Sequence, residues 1–179
     1  MGLWDRPLVK RIYMCFQKVF MNRFMAVLVL IMLGYNGAGQ QVNRISINEL
    51  QAYIQKSEKP LVVNFWATFC KPCVEEIPYF QHAIRSQYKG EVELLLVSLD
   101  LPADYPQKIA AVAAQRNFSA PIAWLNETDA DYFCPKIDQK WSGAIPCTLM
   151  VNNKKRYRKF YDDQLSPLQL EKELKALVQ

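Results

Sequence analysis

The feature that most constrains this chain is a pair of cysteines at the junction of a strand-like and a helix-like segment. A continuous apolar run at residues 60–68, typical of a buried strand, ends just before Cys70. A helix is predicted over residues 71–88, interrupted at Pro78. Cys70 therefore stands at a helix N-terminus, and Cys73 lies one turn further along.

The helix N-terminus predicts different chemical roles for the two cysteines. Its unpaired N–H groups and macrodipole favour the thiolate form of Cys70, and Lys71 adds a positive charge beside it. Pro72 fits the first helical turn, where its missing N–H costs nothing. Cys73 lies on the same helix face, close enough to form a disulfide with Cys70. We expect Cys70 to be the exposed nucleophile and Cys73 the buried resolving thiol.

The chain from residue 40 onwards alternates strand-like and helix-like segments. Besides the two above, strands are predicted at residues 42–46, 91–100, 121–125, 148–152 and 156–162. Further helices are predicted from an Asn48 cap to Lys56, at 106–117, at 129–137, and from a Ser166 cap onwards. This order predicts an α/β fold, in which a mixed sheet is covered by helices on both faces. No linker divides residues 40–179, so we expect one domain there.

The first 39 residues have the pattern of a secretory signal peptide. A basic stretch precedes an apolar run at 24–33 and a stretch of small residues. That run is too short for a membrane-spanning helix, which needs about 20 residues. We therefore expect cleavage near Gln40 and export, in bacteria to the periplasm; the alternative is an uncleaved membrane anchor. Translation could begin at Met1, Met14 or Met21.

The charge distribution argues against a nucleic-acid partner. The chain carries 22 basic and 17 acidic side chains, a net charge of +5. Residues 1–39 hold five basic side chains and one acidic one, which leaves 17 against 16 in the rest of the chain. A nearly neutral body lacks the electrostatic footprint that binding to a polyanion requires.

The segment around the cysteines resembles a known active site. Residues 63–73 (VNFWATFCKPC) are similar to the active-site stretch of the thioredoxin superfamily, and most similar to its exported TlpA/ResA-like branch. Glu76-Ile77-Pro78 extends the match, because that branch carries a Glu and a Pro at these spacings. Gly143-Ala144-Ile145-Pro146 resembles the family's cis-proline loop, which packs beside the disulfide and contacts the substrate backbone. The resemblance covers residues 42–179.

The resemblance implies a thioredoxin-like sheet with an extra strand-helix insertion before the cis-proline loop. It also implies a redox-active Cys70–Cys73 disulfide. Glu76, on the helix face of Cys73, would accept or return the proton of that thiol; the alternative is that Glu76 is a solvated surface residue. The residues expected to contact substrate are Trp66, Lys71, Pro72, Ile145 and Pro146.

Two departures from the family pattern involve the site. Phe69 stands where the family usually has Trp, and Cys147 where Thr commonly follows the cis-proline. We interpret Cys147 and Cys134 as inert core thiols, with a second disulfide or a third redox thiol as the alternatives.

Other chemistries of a CxxC pair fit the sequence less well. A zinc site needs two further ligands, and the chain has no second CxxC and only one His. A thiol peroxidase motif would have Pro and Thr where Val63 and Ala67 stand. We therefore predict no metal site and no cofactor.

The sequence predicts a thiol–disulfide oxidoreductase that reduces disulfides of exported proteins. Its expected partners are those proteins and a membrane thiol reductant that restores the dithiol. The TlpA/ResA resemblance further suggests a role in cytochrome c maturation, and we expect a monomer. The alternative function is a redox-inactive, thioredoxin-like binding module whose disulfide is structural.

Overall fold

The computed structural model describes residues 40–179 together with Met21 and Arg23. The predicted signal peptide, apart from those two residues, lies outside the described part of the chain. Within the described residues, no helix combines the length and the apolar character needed to cross a membrane. Cleavage near Gln40 and export therefore stay predictions.

Residues 40–179 form six strands and five α-helices. The strands are β1 (Val42–Ile45), β2 (Leu61–Trp66), β3 (Glu93–Ser98), β4 (Ile122–Leu125), β5 (Cys147–Asn152) and β6 (Tyr157–Tyr161). The α-helices are α1 (Ile47–Lys56), α2 (Lys71–Gln87), α3 (Gln107–Gln115), α4 (Ala130–Ile137) and α5 (Pro167–Val178). Single 3₁₀ turns lie at Pro102–Asp104 and Asn153–Lys155.

The six strands form one mixed sheet in the order β1-β4-β3-β2-β5-β6. The first four strands in this order run parallel, whereas β5 is antiparallel to both β2 and β6. Helices α2, α3 and α5 pack against one face of the sheet through one apolar cluster, and α1 and α4 pack against the other face through a second cluster. Every residue of β2 is buried, which explains its unbroken apolar run. The predicted fold class, including the β4-α4 insertion before the cis-proline loop, is confirmed.

Two predicted helix features are wrong. The N-cap of α1 is Ser46 rather than Asn48, because Ser46 and Glu49 form a reciprocal capping box. The predicted break at Pro78 is also absent: α2 runs through it without interruption. A proline removes only one hydrogen bond of the helix ladder, and α2 is held to the sheet by buried side chains before and after Pro78, among them Ile77 and Phe80.

The sheet brings the chemically important segments together at one end of its central strands. The last residues of β2 pair with the last residues of β3, with Trp66 opposite Ser98. Because β5 is antiparallel, its first residue, Cys147, lies opposite Phe65 near the same end of β2. The turn that leads to Cys70, the end of β3 and the loop before β5 therefore meet.

Candidate active site

The two cysteines of the CxxC segment form a disulfide at the start of α2. Their sulfurs are 1.99 Å apart and their Cα atoms 5.3 Å apart. Cys70 is the N-cap residue of α2, and its sulfur accepts a hydrogen bond from the backbone N–H of Cys73 at 3.3 Å. Cys73 is fully buried, whereas Cys70 is 8% exposed. Cys70 is thus the more accessible cysteine, although it is less exposed in the disulfide than the sequence predicted.

The cis-proline loop packs against the disulfide. The peptide bond between Ile145 and Pro146 is cis, and the carbonyl oxygen of Ile145 lies 3.8 Å from the Cys70 sulfur. Ile145 is half-buried and Pro146 is buried. Lys71 and Pro72, which stand between the two cysteines in the chain, are exposed. Four of the five residues predicted to contact substrate therefore belong to the CxxC segment or to the loop that packs against its disulfide.

Trp66, the fifth of these residues, lies below the surface. Its side chain is fully buried, edge-on to Phe118 with ring centroids 5.3 Å apart. Trp66 ends β2, which is covered on both faces, so its ring packs in the core and the prediction that it contacts substrate is wrong for this structure. The exposed aromatic ring of the site belongs instead to Phe69, which is 67% exposed.

Glu76 is a buried carboxyl group rather than a solvated one. It is fully buried on α2 and accepts hydrogen bonds from the Asn64 side-chain amide at 2.6 Å and from the Leu165 backbone N–H at 3.3 Å. The same Asn64 amide nitrogen donates to the Thr148 hydroxyl at 3.1 Å. Burial raises the pKa of Glu76 to about 7, although the hydrogen bonds from Asn64 and Leu165 oppose the rise. The alternative of a solvated Glu76 is excluded.

The position of Glu76 relative to Cys73 suits proton transfer. The two residues are three apart on α2, which places their side chains on one helix face. A group whose pKa lies near 7 can both accept and return a proton at neutral pH. The Asn64 amide presents its nitrogen to Glu76, and its Oδ1 is buried without a hydrogen-bond partner.

Asp100, which the sequence did not single out, holds the turn before Cys70. It is 4% exposed, and its carboxylate accepts hydrogen bonds from the Thr68 backbone N–H at 3.1 Å and the Thr68 hydroxyl at 2.5 Å. The Ser98 hydroxyl donates a third at 2.7 Å. These bonds fasten the end of β3 to the residues that lead into α2. The only sequence signal was the change from apolar to charged residues at the end of the predicted strand.

The other two cysteines of the described chain are free thiols in the core. Burial raises the pKa of Cys134 to about 11, with a smaller contribution from Asp131. Burial also raises the pKa of Cys147 far above its ordinary range. Both lie in the apolar cluster of α1 and α4, on the sheet face opposite α2. Within the described residues, no group of three or more His, Cys, Asp or Glu side chains is placed to hold a metal ion.

The fold and the site together define a class of protein. A mixed sheet, a CxxC disulfide at a helix N-terminus and a cis-proline beside it are the parts of a thioredoxin-like dithiol–disulfide protein. The chain belongs to the AhpC/TSA family, because the sequence model of that family matches residues 36–159.

Known proteins with similar sequences and structures agree with this assignment. The thiol-disulfide oxidoreductase ResA of Oceanobacillus iheyensis is 40% identical over 63 residues, which cover 34% of this chain and 33% of ResA. The thioredoxin-related protein of Neisseria meningitidis is 25% identical with a TM-score of 0.58, covering 69% of this chain and 89% of its own. A secreted disulfide oxidoreductase of Mycobacterium tuberculosis shares the fold at 16% identity, with a TM-score of 0.52 and coverages of 70% and 85%.

The family match and the shared fold make the chain a thioredoxin-like protein, and its curated relative ResA is a thiol-disulfide oxidoreductase. The match to ResA covers only a third of the length of that relative.

Proposed function

We propose that this protein reduces disulfide bonds in exported proteins. The observation that carries the proposal is the buried Glu76, with its pKa near 7, one helical turn from Cys73. A resolving thiol must lose its proton before it can attack, and burial of Cys73 makes direct transfer to water difficult. Glu76 supplies a proton acceptor within the protein.

The reaction proceeds in two exchanges. The Cys70 thiolate attacks one sulfur of the client disulfide, which forms a Cys70–client bond and releases the other client sulfur as a thiolate. Cys73 then passes its proton to Glu76 and attacks the Cys70 sulfur, which releases the second client thiolate and leaves the Cys70–Cys73 disulfide. Two electrons thereby pass from the dithiol to the client. A membrane-bound dithiol reductant restores the reduced protein by the reverse sequence of exchanges.

The groups around Cys70 support its role as the attacking sulfur. The backbone N–H of Cys73 points at the Cys70 sulfur, and the exposed ammonium group of Lys71 follows it in the chain. We propose that Lys71, Pro72, Ile145 and Pro146 contact the client, because they belong to the CxxC segment or to the loop that packs against its disulfide. The TlpA/ResA-like sequence pattern supports cytochrome c maturation as the process that this reductase serves.

Reduction of insulin by dithiothreitol, with and without the protein, tests this function. The wild-type protein should accelerate the precipitation of the insulin B chain, and Cys70→Ser should abolish the acceleration. Cys134→Ser is the matched control, because this free thiol lies outside the disulfide, and it should keep the wild-type rate. A wild-type protein without activity, whose Cys70–Cys73 disulfide also resists dithiothreitol, would instead indicate a binding module.

A further inference from the structure

A groove is lined by residues on both sides of Cys70 in the chain. It has a volume of about 300 Å³ and runs between the first turns of α2 and the second half of α3. Its apolar lining includes Phe69, Val74 and Val112. Its charged lining consists of Lys71, Glu75 and Arg116. Because Phe69 and Lys71 flank Cys70 in the chain, a polypeptide bound in the groove lies close to the CxxC segment.

The apolar side of the groove is incompletely covered. Phe69 is 67% exposed, although Val74, which lines the same groove, is only 5% exposed. A large aromatic side chain gains free energy when it leaves water, and exposed apolar surface that lines a groove is typical of an interaction site. An apolar side chain from a partner would cover Phe69 and Val112 together.

The charged side of the groove carries an excess of positive charge. Lys71 lies 3.8 Å from Glu75, but the two side chains are 85% and 55% exposed, so this ion pair holds Lys71 only weakly. Arg116 is exposed and has no acidic partner among the described residues. Two cations therefore face one anion, an arrangement complementary to an acidic side chain.

We propose that this groove binds the segment of a client polypeptide that flanks its reacting cysteine. The segment presents an apolar side chain to Phe69, Val74 and Val112 and an acidic side chain to Arg116. This inference rests on the proposed reductase function and adds a preference among clients, namely for disulfides next to an apolar and acidic stretch.

Short peptides with one cysteine, each joined by a disulfide to 2-mercaptoethanol, test the preference. Their residues on both sides of the cysteine include Leu and one of Asp, Asn or Lys, and the full-length protein reduces them with dithiothreitol as electron source. The wild-type protein should show a kcat/KM about two- to fivefold higher for Asp peptides than for Asn peptides, the range expected for one exposed charge pair. High salt should shrink this ratio.

Charge reversal at the groove gives the decisive comparison. Arg116→Glu should reverse the order, so that Lys peptides become preferred over Asp peptides. Arg116→Gln should abolish the preference, and it tests the same point if the reversed charge impairs folding. Arg85→Glu is the matched control, because Arg85 is an exposed residue of α2 outside the groove, and it should keep the wild-type ratio.

The outcomes separate the preference from the function. Equal kcat/KM for all peptides in the wild-type protein, with hydroxyethyl disulfide still reduced, would overturn the groove proposal and leave the reductase function intact. Failure to reduce either the peptides or hydroxyethyl disulfide would overturn the function itself. A changed sedimentation coefficient of Arg116→Glu, without a changed peptide ratio, would assign the groove to self-association and also overturn the proposal.

Discussion

The two cysteine pairs of the described chain lie on opposite faces of one sheet. Cys70 and Cys73 belong to the apolar cluster under α2, whereas Cys134 and Cys147 belong to the cluster under α1 and α4. None of the four is more than 8% exposed, so exposure alone does not distinguish them. The difference lies in the groups around each sulfur.

Local backbone and charge separate a reactive cysteine from an inert one. The Cys70 sulfur accepts a backbone N–H at the start of α2, a position that stabilises negative charge. Within the described residues, the sulfurs of Cys134 and Cys147 accept no backbone N–H hydrogen bond at a helix N-terminus, and burial raises the pKa of both thiols. Of these four buried cysteines, Cys70 is therefore the one whose thiolate a helix N-terminus stabilises.

Alkylation of the reduced protein tests this difference, and we expect the largest effect here. At pH 7, iodoacetamide should modify Cys70 at least about 100-fold faster than Cys134 or Cys147, because only a thiolate reacts and burial disfavours the thiolates of the core pair. Mass spectrometry of peptides after timed quenching measures each rate. In guanidinium chloride the rates should converge. Equal rates in the folded protein would contradict the comparison.

The pH dependence of stability tests the buried carboxyl on the redox face. The pKa of Glu76 is about 7 in the folded protein and about 4.5 as the ordinary value, so folding favours the protonated form. Burying the charged form of Glu76 lowers the free energy of unfolding. This loss is absent below pH 4.5, grows as the pH rises from 4.5 to 7, and stays constant above pH 7. Between pH 4 and pH 8, wild-type protein should therefore lose up to roughly 3 kcal/mol of stability relative to Glu76→Gln.

Urea unfolding of the oxidised proteins between pH 4 and pH 8 measures this change. Glu75→Gln is the matched control, because Glu75 is the exposed neighbour of Glu76 on α2, and its stability should follow that of the wild type. A stability difference between wild type and Glu76→Gln that stays constant with pH would show that Glu76 titrates as a solvated carboxyl does.

A smaller effect is expected on the rate of the resolving step. Glu76→Gln should slow the attack of Cys73 on the mixed disulfide by about tenfold at pH 7, a modest value for removal of a proton acceptor. The inflection near pH 7 in the wild-type profile should disappear. Single-turnover kinetics with a Cys70-linked peptide measures this step separately from the first attack. An unchanged profile would remove Glu76 from the mechanism and leave it a structural role.

The sequence predicted what depends on local pattern and spacing. The buried strand, the CxxC segment at a helix N-terminus and the proline before β5 all have local signals, and each lies where expected. The Ser166 cap of α5 was equally predictable, because Ser166 and Gln169, which form its capping box, are only three residues apart.

The contacts that the sequence could not predict join distant segments. Asp100 reaches Thr68 across 32 residues, and Glu76 meets Leu165 across 89. The raised pKa of Glu76 follows from that packing. The spacing of residues along the predicted helix did not show whether Glu76 would be buried or exposed. Trp66 was misassigned for the same reason, since its proximity to Cys70 in the chain did not show that both sheet faces cover it.

The order of attack is the central claim, and a trapping experiment tests it most directly. Cys73→Ser should allow the first exchange and block the second, so that client proteins accumulate as dithiothreitol-sensitive complexes with Cys70 on a non-reducing gel. Cys70→Ser should trap few or none, because Cys73 is fully buried. Trapping by Cys70→Ser but not by Cys73→Ser would contradict the assignment of the two sulfurs.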